Sequence, residues 1–142
     1  MPALSKPELE FTNVTGSKGV FSSSVTAKSH PDGTVTNYRT YILSHDPTTG
    51  DRTILKEHCP GSVWGGNLSD NFDKDTVCSH DYWEECYILE GRLYDVGKKQ
   101  WFTAGSYCCR PPGMLHGPCK ADEQVGCKEI CTARYEQIRE GN

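Results

Sequence analysis

Nowhere in its 142 residues does this sequence hold an apolar run long enough to cross a membrane. The N-terminus, Met-Pro-Ala-Leu-Ser-Lys-Pro-Glu, lacks the apolar centre of a secretory signal, so a cytoplasmic protein with no membrane partner is expected. Basic clusters are absent too. Fifteen Lys and Arg stand against nineteen Asp and Glu, a net charge of −4, and only Lys98 and Lys99 are adjacent. A nucleic-acid partner would have little electrostatic support and is not expected. There is no Cys-x-x-Cys among the eight cysteines at 59, 78, 86, 108, 109, 119, 127 and 131, which argues against a zinc ribbon or a thioredoxin-type redox site. In a reducing compartment these are expected to be thiols, mostly acting as small buried hydrophobes. No internal repeat is visible.

What is present points to β-structure. The length suits one domain able to bury a core without cross-links. Fourteen Gly and eight Pro, with many Thr, Tyr and Val, favour short strands between turns. Residues 1–35 are polar and read as an N-terminal arm, with an edge strand expected near Leu9–Val14. Residues 36–142 read as the barrel. Thr36–Leu43 and Arg52–Glu57 flank the turn Asp46-Pro-Thr-Thr-Gly50 and signal a hairpin. Residues 65–77 form a long polar loop, a candidate lid or site wall. Glu84–Glu90 reads as a strand ending at Gly91, with Arg92–Val96 pairing back on it. Gly105–Cys109 reads as another strand. The last element, Gly126–Tyr135, reads as a strand, with a helix from Lys128 as the competing reading, because Ile130, Ala133, Arg134 and Ile138 also fit a helical face.

Two spacings carry chemistry: Cys78-x-His80-x3-Glu84-x6-Gly91 and Gly105-x5-Pro111-x-Gly113-x2-His116. Side chains alternate along a strand, so Cys78 and His80 share a face, and Glu84, Cys86 and Ile88 share a face. If the latter face points inward, a thiolate, an imidazole and a carboxylate converge. His116 follows the rigid turn Arg-Pro-Pro-Gly and could aim at the same point. Such donors, with positions left for water or substrate, make a catalytic-type metal site. A lone His beside a turn is ordinarily a surface residue, and Glu84 beside Glu85 is ordinarily a solvated pair. It is the joint spacing that is specific.

That joint spacing resembles the paired motifs of the cupin superfamily, which implies an all-β, jelly-roll barrel. More narrowly, Asp46-Pro-Thr-Thr-Gly-Asp-Arg-Thr, Glu84-Glu-Cys-Tyr-Ile-Leu-Glu-Gly and Gly105-Ser-Tyr-Cys-Cys-Arg-Pro-Pro-Gly are similar to cupins related to the anti-sigma factor ChrR. That group includes aromatic hydroxyketone dioxygenases such as 2,4'-dihydroxyacetophenone dioxygenase. The resemblance covers roughly residues 36–135. It implies one divalent metal ion, iron or zinc, on Cys78, His80, Glu84 and His116. Three positions depart from the pattern: Cys78 replaces a His, Phe72 a Gly and Lys120 an Asn. A thiolate at 78 would favour zinc. Without it, His80, Glu84 and His116 form the two-His-one-carboxylate set suited to ferrous iron and dioxygen.

The resulting expectation is a metal-dependent enzyme on a small organic substrate, aromatic or polyketide-like, with dioxygenase-type carbon–carbon cleavage favoured. His80, Glu84 and His116 are the expected catalytic residues, with Cys86 and Ile88 lining the pocket and Tyr82 near its mouth. A non-redox isomerase, cyclase, lyase or decarboxylase is the alternative. So are a ligand-binding sensor, for which the polar arm is too short to supply a helical partner domain, and a metal-free acid–base cupin. A homodimer is expected, with the arm lying along a sheet edge.

Overall fold

Residues 6–65 and 79–135 are described by the structure, a computed structural model. β-Branched and aromatic residues in alternation make Val35–His45 (β2) and Arg52–His58 (β3) an antiparallel hairpin. Asp46 folds its turn: its Oδ1 accepts the backbone N–H groups of Thr48 and Thr49 at 2.9 and 3.3 Å. The remaining strands are Ser22–Ser29 (β1), Val63–Trp64 (β4), Trp83–Asp95 (β5), Gln100–Thr103 (β6), Tyr107–Arg110 (β7), Cys119–Ala121 (β8) and Cys127–Arg134 (β9). The described residues contain no helix, hence none long and apolar enough to cross a membrane. Every pairing is antiparallel, in the order β1-β2-β3-β9-β5-β8-β4, with β6 and β7 also on β5. The sheet curls into a half-barrel.

Three sequence expectations change. Leu9–Val14 is not a strand; the edge strand is β1, paired along its whole length with β2. Its sequence, SSSVTAKS, is exposed on both faces, so it has no alternation to announce it. Second, Gly91 does not end a strand, and Arg92–Asp95 continues β5 instead of pairing back on it. The third change is that β7 begins at Tyr107, two residues beyond Gly105. The last element is a strand, as expected, at 127–134 and not the competing helix, with buried residues at every second position. The polar loop expected at 65–77 lies, apart from Gly65, outside the described residues.

The bend in β5 positions the site. Glu84, Cys86 and Ile88 are buried, and then Leu93 and Asp95. The parity flips between Ile88 and Leu93 because the register with β9 slips at Ile88/Glu90. A β-bulge inserts one residue and turns the strand. Gly91 makes it possible: its φ is +72°, and a Cβ there would lie 2.0 Å from the Gly126 carbonyl oxygen. Before the bend β5 pairs with β7 and β9; after it, with β6 and β8. One strand thus joins two walls, with Ile88, Leu93, Cys119, Ala121 and Cys127 packed between them.

Candidate metal centre

The register stacks the inward side chains in ranks across β3, β9, β5 and β7. The outermost rank holds Ala133, Glu84 and Arg110. The next holds Ile54, Cys131, Cys86 and Cys108. Lys56, Glu129 and Ile88 follow, then His58 and Cys127. A cavity of about 200 Å³ runs along these ranks, and both Glu84 and His58 reach it.

At the outer rank, one donor atom each from His80, Glu84 and His116 lie within 4.8 Å of one another. His80 Nε2 is 3.6 Å from Glu84 Oε2, and the two imidazole rings are 4.8 Å apart, tilted by 55°. The second motif supplies His116 by a chain of backbone contacts. The Gly113 N–H donates to the His80 carbonyl at 2.9 Å, so the Pro-Pro-Gly turn is fastened to the segment it must face. On the far side the Gly117 N–H donates to Asp95 Oδ2 at 3.3 Å, and Lys98 N–H to Asp95 Oδ1 at 3.0 Å. Asp95 is 1 % exposed. Burial opposes its charge, but those N–H groups hold its carboxyl below the usual range.

Arg110 Nη1 donates to Glu84 Oε1 at 2.9 Å. Burial and the guanidinium charge of Arg110 lower the pKa of His116 to about 4. It is therefore a neutral imidazole near neutral pH, the form that binds metal. A carboxylate fixed at one oxygen, two imidazoles on one side of it, and a cavity beyond: this donor set fits a divalent ion of the zinc or iron class.

Of the residues expected at the site, His80, Glu84 and His116 are brought together, while Cys78 lies outside the described residues. Cys86 and Ile88 line the cavity. Tyr82 is not among the lining residues; its ring stacks on His80 at 4.8 Å and 3°. The guanidinium of Arg52 sits 5.4 Å from its centroid. Tyr82 thus fixes the His80 ring plane and does not wall the pocket.

The inner ranks hold polar residues that the sequence reading did not single out. Lys56 sits directly across from Glu129. Burial works against its charge, but Cys131, Glu129 and Glu84 outweigh that and raise its pKa. Glu129 is pulled down to about 2: burial opposes ionisation, and His58 and Lys56 more than offset it. His58, 3.2 Å from Glu129 and stacked on Trp64 at 3.6 Å, is lowered by burial. An imidazolium is disfavoured in that enclosure, so the charge that balances Glu129 is the Lys56 ammonium. Cys131 donates to Glu129 Oε1 at 2.8 Å. Its hydrogen bond with Cys86 favours the thiolate, but burial and Glu129 push it up to about 11. Two signals for this cluster were available in sequence: the period-two pattern Cys127-Glu129-Cys131 and the pattern Ile54-Lys56-His58.

No protein-family model and no curated protein sequence matches the chain. Solved structures do. A predicted oxalate decarboxylase from Thermotoga maritima superimposes with a TM-score of 0.59 at 16% identity, covering 89% of this chain and 100% of that one. An acetylacetone dioxygenase from Acinetobacter johnsonii gives 0.55 at 18%, covering 94% and 80%. The polyketide cyclase RemF from Streptomyces resistomycificus gives 0.55 at 16%, covering 94% and 89%. Their chemistries differ, and at these identities the likeness is one of fold. A chain whose described elements are all strands, and whose bent central strand and Pro-Pro-Gly turn bring His80, Glu84 and His116 together over a barrel cavity, is a cupin in fold.

Proposed function

We propose that this chain is a metal-dependent enzyme acting on a small organic substrate within the barrel, with dioxygenase-type carbon–carbon cleavage as its reaction. The observation that carries the reading is the convergence of His80, Glu84 and His116 within 4.8 Å at the outer rank of a closed-in cavity. Two imidazoles and one carboxylate with open positions suit ferrous iron and dioxygen. The likeness to an acetylacetone dioxygenase supports the fold that such chemistry uses.

His80, Glu84 and His116 would hold the ion, which would polarise a substrate carbonyl or enolate oxygen and bring dioxygen to it. Arg110 keeps the Glu84 carboxylate turned with Oε1 to itself and Oε2 towards His80. Tyr82 holds the His80 ring by stacking. Trp64, Phe102, Leu93 and Ile88 give the cavity an apolar wall, which suits a planar or aromatic ligand and limits water. Lys56, also lining the cavity, offers a cation to an enolate or carboxylate of that ligand. With a neutral His58 and an ionised Glu129, no strong base stands in the inner ranks. With Glu84 engaged by the ion and by Arg110, proton removal from a carbon acid falls to substrate ionisation before entry.

The test is metal analysis of freshly purified protein, followed by dioxygen uptake with small β-dicarbonyl compounds and hydroxyaryl ketones. Iron content near one per chain, with dioxygen consumed in step with substrate, is the expected result. Full turnover under strict anaerobiosis removes the dioxygenase and promotes the non-redox reading. The Arg110–Glu84 pair favours that second reading if zinc is found, since it leaves a positioned carboxylate beside a carbonyl-polarising ion.

A further inference from the structure

One rank below the His80–Glu84–His116 set, three thiols lie side by side. Cys108, Cys86 and Cys131 are directly opposite one another on β7, β5 and β9. Glu129 is two residues from Cys131 on the same face of β9. One donor atom each from Cys86, Cys131 and Glu129 lie within 4.8 Å of one another, and all three residues are buried.

Thiols that only filled space would need apolar neighbours. Here a carboxylate that is 5 % exposed sits among them. Its Oε1 takes the Cys131 thiol, and its Oε2 has no hydrogen-bond partner. The 3.2 Å approach of His58 Nε2 lacks hydrogen-bond geometry, and that nitrogen is unpartnered as well. A buried carboxylate oxygen left without a donor is costly. A cation at its free lone pair would remove the cost.

We propose that Cys86, Cys131 and Glu129 form a second metal site, selective for a thiophilic divalent ion such as zinc. Binding exchanges two thiol protons, released to solvent, for the ion. Two thiolates and one carboxylate carry three negative charges. The ion supplies two positive charges and Lys56, across from Glu129, supplies the third, so the cluster is neutral without a counter-ion from solvent. Cys108, across from Cys86 and interacting with its thiol, is the nearest further sulfur for a fourth position. Soft sulfur donors select zinc here, whereas the outer set of nitrogen and oxygen donors accepts iron. The ion would tie β5 to β9 below the outer site, at the cavity wall.

Cobalt(II) reports the two sites separately, because only sulfur ligation gives intense near-ultraviolet charge transfer. The experiment uses reduced, metal-free Cys78→Ser protein, which removes the one thiol the outer motif could add. Titration is expected to give sulfur-to-cobalt charge transfer, and native mass spectrometry two ions per chain. Adding Cys131→Ser should abolish the charge transfer and one ion, leaving the weaker visible bands of the outer ion. No charge transfer in Cys78→Ser, or its survival in Cys78→Ser/Cys131→Ser, overturns the proposal. Should the double variant not fold, Glu129→Gln, which keeps every thiol, should weaken the charge-transfer titration by about ten-fold or more. An unchanged affinity there also overturns it. Failure of the outer site has a different signature, one ion per chain by native mass spectrometry with charge transfer kept.

Discussion

Glu84 divides its two oxygens between different tasks. Oε1 accepts from Arg110 at 2.9 Å, and Oε2 faces His80 at 3.6 Å. It is 8 % exposed, and a buried carboxylate is expensive unless it is paired, binds metal or carries protons. Arg110 supplies the pairing for one oxygen, so the other is the chemically available one. The two residues should therefore differ under substitution. Glu84→Ala removes a donor atom, and metal content and turnover should fall together. Arg110→Met keeps the donors but releases the carboxylate, and metal affinity should fall by about 10- to 100-fold, the usual cost of losing a group that orients a ligand. Metal content and affinity by equilibrium dialysis check both. If Glu84→Ala keeps its metal while losing about two orders of magnitude in rate, Glu84 is a general base and not a ligand. If it keeps full turnover with the same product, the catalytic assignment fails.

The bent strand is what turns a sequence motif into a site. Gly91 closes the first motif because only a residue without a Cβ can adopt φ +72° with a carbonyl oxygen 2.0 Å from the Cβ position. Gly91→Ala should destabilise the fold by about 2–5 kcal/mol, combining left-handed strain with overpacking. Chemical denaturation measures it; a loss below about 0.5 kcal/mol, the surface-substitution range, would show that the bend tolerates a side chain. Much of this element was legible beforehand. Glu84, Cys86 and Ile88 alternate with Glu85, Tyr87 and Leu89, and the structure buries the first set. The bulge was not legible, because a glycine after a strand reads equally as a stop. β9 was ambiguous for a related reason: Ile130 and Ala133 fit a helical face, while the burial of Cys127, Glu129, Cys131 and Ala133 follows period two. Cysteine, glutamate and alanine make a weak hydrophobic signal, so the periodicity was hidden. β1 is exposed along both faces and carried no signal at all.

At the scale of the whole molecule, the interior changes character with depth, from an outer donor set through a thiol rank to the Lys56–Glu129 pair and His58. Motif spacing reached the outer rank because its ligands are held by local turns. The inner ranks pair residues of β3 with residues of β9, distant in sequence, and nothing local in either segment names its partner. Their burial makes the metal-free protein sensitive to acid, in the same direction as His116, lowered from 6.5 to about 4, and the sign follows from three groups. His58 is lowered from 6.5 by burial, so the unfolded chain takes up its proton first and stability falls as pH drops below that value. Glu129 falls from 4.5 to about 2, so its contribution is complete above 4.5 and is lost between there and about 2. Asp95 is lowered from 3.8 and acts in the same direction over the low end of that window. The thermal midpoint of chelator-treated protein, followed from pH 7 downward, should begin to decline near 6.5 and steepen below 4.5. Glu129→Gln should be less stable at pH 7 and show a shallower fall below 4.5. A midpoint that stays flat from pH 7 to 4.5 would mean that neither His58 nor His116 is held neutral by burial. An equally steep fall in Glu129→Gln would mean that the acid sensitivity resides elsewhere than in the inner pair.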